Sequence, residues 1–292
     1  MNSWGPLPMS WKIEREYCMA KSYEELRFSD DFMFWKIMET KPHLCKELLE
    51  LVLGHKVGDL VNVNGQSPVE ITAKGRGVRF DIYAEDDENA IYDVEMQNIN
   101  KGHLPKRMRY AQAIIDLNQL ERGSTFDELN QSIIIYICNF EMYKDGRHYY
   151  RFKNIDHEDP TLSLEDGRDI IILATQGTAD DVSEEMKSFL NYVGGGAPDS
   201  DFTKELEGAV TEAREHKKWR LEYMTFLEIC EEEYKRGRED ERANTKRESD
   251  RADEAEQQAD KEKQRADTAE QENSALKKEI SELKRLLAAK EQ

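Results

Sequence analysis

Hydrophobic and polar residues alternate along the stretch GVRFDIYAEDDENAIYDVEMQ, which spans residues 77–97. Apolar side chains occupy every second position, at Val78, Phe80, Ile82, Tyr92, Val94 and Met96. Alternation with a period of two predicts two strands, each with one buried and one solvated face. The acidic residues at 85–89 favour a turn between them. The pattern therefore predicts an antiparallel hairpin.

Helical periods flank this hairpin on both sides. A helix is predicted to begin after Ser29 or Asp30 and to reach residue 38, and a second one lies between Pro42 and Gly54. Further helices are predicted over 104–120 and 182–193. In the helix over 104–120, the expected buried side consists of Met108, Ala111, Ile114, Ile115 and either Leu117 or Asn118.

Short apolar runs predict the remaining strands. Residues 60–63 and 69–71 are predicted as two pieces, because Gly65 and Pro68 interrupt them. The run SIIIYIC at 132–138 predicts a strand that is buried on both faces. Strands are also expected over 148–155 and 168–174. This order of elements is typical of a mixed α/β domain, with a central sheet flanked by helices.

The C-terminal third of the chain is charged and has a helical period. An apolar stripe, formed by Trp219, Tyr223, Phe226, Leu227 and Cys230, is expected to pack back on the α/β domain. The predicted organisation is an arm at 1–21, the α/β domain at 22–200, a helical extension at 201–242 that packs on the core, and a coiled coil at 243–292.

The coiled-coil prediction depends on a heptad pattern. RADEAEQ at 251–257 returns as RADTAEQ at 265–271, two heptads later. The seam ends in a stronger apolar segment, formed by Leu276, Ile280, Leu283 and Leu287, and a single Asn273 at position a is a device that sets a two-stranded register. We therefore predict a homodimer. A long solvated helix or a disordered tail is the alternative, because alanine occupies most of the upper seam.

Composition and charge limit the classes of partner. The net charge of −19 over 292 residues argues against broad attraction to nucleic acid or to anionic membranes, although it permits a local basic groove. No apolar run has the length of a membrane span, and no secretory signal is visible. The four cysteines are scattered, without zinc or disulfide spacing, which predicts a reducing cytoplasm.

Two carboxylates of the hairpin form the candidate metal site. If the turn is centred on Glu88, Asp81 faces Glu95 across the two strands. Opposed like charges are unfavourable unless a cation lies between them, and oxygen ligands suit Mg²⁺ or Mn²⁺. The alternative is that both are ordinary polar residues on a solvated sheet face. The nearest basic cluster is Lys106, Arg107 and Arg109.

Several motifs resemble one known family. FSDDFMF, CKELLELVLG, RFDIYA, YDVEMQ, KRMRYAQAIIDL, IIIYICNF and LEDGRDIIILATQGT follow one another as in the Rpn family of recombination-promoting nucleases, often labelled putative transposases, within the PD-(D/E)XK superfamily. The resemblance covers roughly 22–235. It implies a restriction-endonuclease-like core in the α/β domain, with Asp81 and Glu95 as metal ligands and Gln97 at the position of the usual lysine.

The resemblance also implies a function. It predicts a Mg²⁺- or Mn²⁺-dependent DNA endonuclease of low sequence specificity, in recombination, mobile-element biology or phage defence, with the basic cluster on the DNA backbone. Gln97 would orient the attacking water, and Glu47 or Glu50 would supply a further acid, whereas Asp30 is expected to be a cap or structural contact. The alternative is a nuclease-fold protein that binds or regulates without cutting. A true transposase receives little support, since no separate DNA-binding module is visible.

Overall fold

The computed structural model describes residues 21–69, 78–100, 102–120 and 123–290. The arm predicted at 1–21 lies outside this range except for its last residue, as do residues 70–71 of a predicted strand. The strands are β1 (Leu60–Val69), β2 (Val78–Asp86), β3 (Ile91–Gln97), β4 (Ser132–Cys138), β5 (Tyr149–Phe152) and β6 (Arg168–Ala174). The helices are α1 (Asp31–Thr40), α2 (Pro42–Leu53), α3 (Leu104–Gln119), α4 (Glu184–Val193), α5 (Asp201–Glu215) and α6 (Lys217–Lys290), and two short 3-10 turns occur at Tyr23–Glu25 and Phe126–Glu128.

The described strands form a single mixed sheet in the order β1-β2-β3-β4-β6-β5. The pairs β1–β2, β2–β3 and β5–β6 are antiparallel, and the pairs β3–β4 and β4–β6 are parallel. The three parallel strands therefore end at one edge of the sheet, where Gln97, Cys138 and Ala174 lie in register. The predicted fold class, a mixed central sheet flanked by helices, is confirmed.

Two apolar clusters cover the two faces of the sheet. The larger cluster joins one face to α1, α2, α4, α5 and the start of α6. The smaller cluster joins the opposite face to α3, through Leu104, Met108, Ala111, Ile114 and Ile115. Because helices cover both faces, the central strands are buried on both sides.

One buried carboxylate holds the hairpin turn. The Asp86 side chain accepts hydrogen bonds from the backbone N–H groups of Glu88 and Ala90, and from the hydroxyl of Tyr92 at 2.8 Å. Asn89 adopts a positive φ of 64° in the turn, a conformation that asparagine tolerates. The pairs Ile82–Val94 and Glu85–Ile91 give the register that was predicted from a turn centred on Glu88.

The predicted faces of the hairpin are correct for one strand and wrong for part of the other. Tyr92, Val94 and Met96 lie together in the larger cluster, as expected, but β3 is buried on both faces rather than on one. Phe80 was expected beside Ile82, yet it belongs to the α3 cluster. The reason lies at Asp81, where the side chain takes over the contact with β3 and regular pairing begins only at Ile82.

The prediction that β1 is interrupted at Gly65 and Pro68 is wrong. A β-carbon at position 65 would lie 2.6 Å from the indole ring of Trp35, so glycine permits the close packing of α1 on this strand. Proline is tolerated because β1 is an edge strand of the described sheet.

Helix α2 ends where Gly54 adopts a left-handed conformation (φ 75°), as predicted. In α3, Met108, Ala111, Ile114 and Ile115 are buried as predicted, whereas Leu117 is 60% exposed. Leu117 was therefore wrongly placed on the buried side, and Asn118 is exposed as well. Strand β5 is shorter than the predicted 148–155.

The start of α6 packs on the core through Trp219, Tyr223, Phe226 and Leu227, as predicted. The side chain of Cys230 lies outside those described. The chain divides into a compact unit that ends at Leu227 and a second unit that begins at Glu228. None of the described helices is long and apolar enough to cross a membrane.

Candidate active site

Asp81 and Glu95 meet at the point where β2 and β3 begin to separate. The backbone N–H of Asp81 donates to Glu95 Oε1 at 3.0 Å, and the N–H of Met96 donates to Asp81 Oδ2 at 3.0 Å. Each carboxylate thus accepts a hydrogen bond from a backbone N–H of the opposite strand, in the place that a backbone carbonyl of its own strand would take. The hairpin register places the two acidic residues side by side, so the carboxylate pair expected from the alternation exists in the fold.

A third carboxylate, that of Asp93, lies on the same face of β3. Asp93 is 0% exposed, and neither of its oxygens accepts a hydrogen bond from any described residue. Burial, followed by the charge of Asp81, raises the pKa of Asp93 well above its usual range. The expectation of a solvated polar face is therefore wrong, because α3 covers this side of the sheet.

Burial also raises the pKa values of the other two acids. For Asp81, burial acts together with the charges of Glu95 and Asp31. For Glu95, burial and the charge of Asp93 raise the pKa to about 8. Because three neighbouring acids with raised pKa values cannot all be ionised at once without a counter-charge, the cluster favours the binding of protons or of a cation.

Gln97 connects this acidic cluster to α3. Its amide nitrogen donates to Glu95 Oε2 at 3.3 Å and to the carbonyl of Met96 at 3.1 Å. Its amide oxygen accepts a hydrogen bond of 3.0 Å from Nη1 of Arg107. The charge of Arg107 also lowers the pKa values of Asp81, Asp93 and Glu95 against the effect of burial.

The three basic residues of α3, Lys106, Arg107 and Arg109, differ in their contacts with the acidic cluster. All three side chains are exposed, in the first turns of the helix. Arg107 reaches Gln97, and no bond from Lys106 or Arg109 to the acidic cluster appears among the described residues. Only Arg107 is therefore part of the cluster itself, and the other two flank it on the helix surface.

Asp31, rather than Glu47, is the helical acid that acts on the cluster. Its charge raises the pKa of Asp81 and of Glu95, in addition to the larger effect of burial. The pKa of Glu47 is raised by burial, and the charges that act most strongly on it are those of Glu205 and His43. The helical acid whose charge acts on the cluster is therefore in the first turn of α1, and a further metal ligand from α2 stays a prediction.

Asp30 has the structural role that was expected. It precedes the first residue of α1, and its carboxylate accepts hydrogen bonds from the backbone of Arg27 at 2.7 Å and from Lys21 at 2.6 Å. The charge of the next residue, Asp31, acts on the cluster. The sequence signal that could have found Asp31 is its position in the FSDDFMF motif, directly after the capping acid.

A row of amide side chains adjoins the cluster at the carboxyl ends of the parallel strands. Asn98 donates to the carbonyl of Ser29 at 2.6 Å and accepts from Asn139 at 3.3 Å. Asn139 in turn accepts from the hydroxyl of Thr175 at 2.8 Å. These bonds connect β3, β4 and β6 to the segment that leads into α1. No periodicity in the sequence marks these residues.

The acidic cluster fits a divalent cation that keeps most of its water. Within the described ranges, no group of three or more His, Cys, Asp or Glu side chains is placed so that together they could hold a metal ion. Mg²⁺ does not need such a cage, since one or two carboxylates with several waters suffice. The buried oxygens of Asp93, which lack hydrogen bonds within the described structure, are consistent with a missing positive charge.

Comparison with known proteins agrees with this geometry. The model of the PD-(D/E)XK nuclease family transposases matches residues 28–190, more than half of the chain. Neither the search of curated proteins nor the search of solved structures found a match to this chain. The matched segment contains α1, the hairpin, α3 and the strands up to β6, and so includes every residue of the acidic cluster. This chain therefore belongs to the PD-(D/E)XK nuclease family transposases.

Proposed function

We propose that the protein is a metal-dependent DNA endonuclease that hydrolyses phosphodiester bonds with low sequence specificity. The observation that carries this proposal is the pair formed by the partly buried Asp81 and the buried Glu95, linked to the exposed residue Arg107 through Gln97. A site that attracts a cation and, next to it, a group that attracts an anion suit a phosphate bound together with its metal ion.

Asp81 and Glu95 would hold the ion, with water completing its shell, and Asp31 and Asp93 would add negative charge nearby. The oxygen-only donor set favours Mg²⁺ or Mn²⁺. When bound, such an ion lowers the pKa of its water and neutralises charge on the phosphate. Deprotonation of the buried acids accompanies metal binding, so the affinity rises with pH.

The exposed cations Lys106, Arg107 and Arg109 would contact the DNA backbone. Phosphate contacts position a duplex and carry no base information, which is the reason for the proposed low specificity. Because the net charge of the chain is −19, binding should depend on this local cluster and weaken strongly with added salt.

A binding or regulatory protein that retains the fold without cutting is the second candidate. One observation favours it: both N–H groups of the Gln97 amide already have acceptors in Glu95 and Met96, so this amide does not offer a donor to an attacking water. The carboxylate pair, which a protein that only binds DNA does not need, argues for catalysis.

We also propose a homodimer held by the C-terminal part of α6. Leu276 and Ile280, both in the predicted seam, are 55% and 51% exposed in the single chain, which is an unfavourable state for large apolar side chains. The side chains of Leu283 and Leu287 lie outside those described, and Asn273 is exposed. A parallel pair would present two nuclease units to the two strands of a duplex.

A cytoplasmic location is part of the same proposal. Cys45 and Cys138 are free, buried thiols, and burial raises the pKa of each to about 12. Such thiols are unreactive and carry no sign of disulfide formation.

A plasmid-nicking assay with Mg²⁺, Mn²⁺ or EDTA tests the function. The wild-type protein should nick supercoiled DNA with either ion and not with EDTA, and Asp81→Ala and Glu95→Ala should each abolish nicking while the circular dichroism spectrum stays unchanged. Glu47→Ala is the matched control, because its carboxylate lies outside the cluster, and it should cut like the wild type. A protein that binds DNA but never cuts it would support the second candidate instead.

A further inference from the structure

Arg107 is a basic side chain whose charge acts on all three acids of the cluster, and it is joined to them through its hydrogen bond to Gln97. We propose that Arg107 is a catalytic residue, whose guanidinium stabilises charge on the phosphate during cleavage, and that Gln97 is the positioning residue that holds it. This inference rests on the proposed nuclease function and assigns to one residue a role distinct from general DNA binding.

The hydrogen bonds of Gln97 support a positioning role. Its two amide hydrogens have acceptors, Glu95 Oε2 and the Met96 carbonyl, and its oxygen accepts from Arg107. The first two bonds determine the orientation of the amide, so its oxygen must face α3. A side chain fixed in this way cannot turn to donate to water, but it can hold a guanidinium at a constant distance from Glu95.

The surroundings of Arg107 support contact with a phosphate. Gln97 and Glu95 are buried, whereas the Arg107 side chain is exposed at the side of the cluster that α3 borders. A guanidinium carries about five N–H donors in a planar fork that matches phosphate oxygens, and Gln97 accepts only from Nη1. The group can therefore keep its bond to Gln97 and still bind a phosphate from solvent.

The chemistry gives a second cation, beside the metal ion, a role at this place. In hydrolysis, a water oxygen forms a bond to phosphorus, the bond from phosphorus to one ester oxygen breaks, and protons pass from the attacking water to solvent and from solvent to the leaving oxygen. Negative charge on the non-bridging oxygens increases on the way to the transition state. A preorganised donor at such a position typically contributes about 10²–10³-fold in rate.

Cleavage and Mn²⁺ binding, measured on the same variants, test the assignment. Arg107→Ala should cut about 10²-fold more slowly than wild type, whereas Mn²⁺ should bind equally or more tightly, because a positive charge next to the cation site is removed. Arg107→Lys keeps the charge and one hydrogen bond and should lose less. Arg109→Ala, on the same exposed helix surface, is the control and should change cleavage only a few-fold.

A second lysine substitution should restore part of the activity that Arg107→Ala loses. Gln97→Lys places an ammonium between Glu95 and the position of Arg107, so the double variant Gln97→Lys/Arg107→Ala should cut at least about tenfold faster than Arg107→Ala alone. Equal losses in Arg107→Ala and Arg109→Ala, or weaker Mn²⁺ binding by Arg107→Ala, would overturn the proposal. If the wild-type protein cuts DNA and either of these results is found, the role of Arg107 is overturned and the proposed nuclease function stands. If the wild-type protein does not cut DNA, both proposals are overturned.

Discussion

Asn98 donates a hydrogen bond of 2.6 Å to the carbonyl of Ser29, and this bond connects the end of β3 to the start of the segment that carries Asp31. Gln97, one residue before Asn98, contacts Glu95. The bond therefore fixes the distance between the acid of α1 and the acids of the hairpin. In the proposed metal site, it would belong to the contacts that orient the groups around the ion without touching the ion.

We expect Asn98→Ala to weaken Mn²⁺ binding by about tenfold, because contacts of this outer kind typically contribute 10–100-fold to metal affinity. Calorimetric titration with Mn²⁺ measures the effect. Asn118→Ala is a matched control, since it removes a comparable bond of 2.8 Å to the carbonyl of Ile114 within α3. Equal affinities for the two variants would contradict a tether between β3 and α1.

Asp93→Asn should stabilise the metal-free protein at pH 8. The buried carboxylate has no hydrogen-bond donor among the described residues, and its raised pKa means that ionisation is unfavourable in the folded state. An amide removes this cost and can donate to a neighbouring carboxylate. We expect a gain of about 1–2 kcal/mol in the free energy of unfolding at pH 8 and a smaller gain at pH 5.

Urea unfolding in EDTA at both pH values measures this gain, and Asp127→Asn, on an exposed turn, serves as the control. A variant that is less stable than wild type at pH 8 would show that Asp93 has a partner that stabilises its charge.

The metal-free protein should lose stability as the pH rises from about 5 to about 8. The pKa of Glu95 is about 8 in the folded state, against an ordinary value of 4.5, so the folded state binds the proton more tightly than the unfolded chain. Between these two values the folded state holds the extra proton, and the free energy of unfolding falls by about 1.4 kcal/mol per pH unit from this group.

Glu95→Gln should flatten this dependence, and saturating Mg²⁺ should offset it in the wild type, more at pH 8 than at pH 6. Unfolding curves in urea across the pH range, with EDTA or Mg²⁺, give both comparisons. A wild-type protein whose stability rises over this range without metal would contradict a raised pKa at Glu95.

Truncation after Arg242 should yield a monomer that still binds Mn²⁺, while the full chain is a dimer. The apolar part of the predicted seam lies beyond the truncation, at Leu276, Ile280, Leu283 and Leu287, so the truncated chain loses the surface that dimerisation would bury. Light scattering at micromolar concentration measures the mass of both proteins. A full-length protein that is a monomer would rule out the proposed homodimer.

Asn273→Leu tests the register of the same helix. An asparagine at position a weakens a coiled coil but selects two strands, so leucine should tighten association and broaden the distribution of oligomers. Sedimentation analysis of the variant against the wild type distinguishes these effects. An unchanged, single dimer would mean that Asn273 is not paired across an axis.

The hairpin and its register were predictable because every signal for them is local. The alternation of side chains and the acidic turn suffice to predict that Asp81 lies beside Glu95. The continuous apolar runs of β4 and β6 likewise predict that these strands are buried. The folded structure adds the capping of the turn by Asp86, which was not foreseen.

The rest of the site depends on contacts between distant elements. Asp31 and Arg107 act on the cluster from two helices. The FSDDFMF motif marks the position of Asp31, but the local pattern does not show that its charge acts on the hairpin, and nothing in the pattern of α3 distinguishes Arg107 from Lys106 and Arg109. The polar face of β3 is buried because α3 covers it, which a strand pattern cannot reveal. Gly65 interrupts the pattern of β1 but is needed for the packing of Trp35.

Asp93 and Glu95 are buried and Asp81 is partly buried in the sheet, so the three acids lower the stability of the fold while they serve the proposed activity. Substitutions that remove charge from these positions relieve a cost that the wild-type chain bears, so they should make the fold more resistant to heat while they remove the ability to cut. A screen for thermostable variants of this protein would then preferentially recover inactive ones. Stabilisation for practical use should therefore be sought in the edge strands and surface helices, and the candidates should be screened for cleavage at the same time.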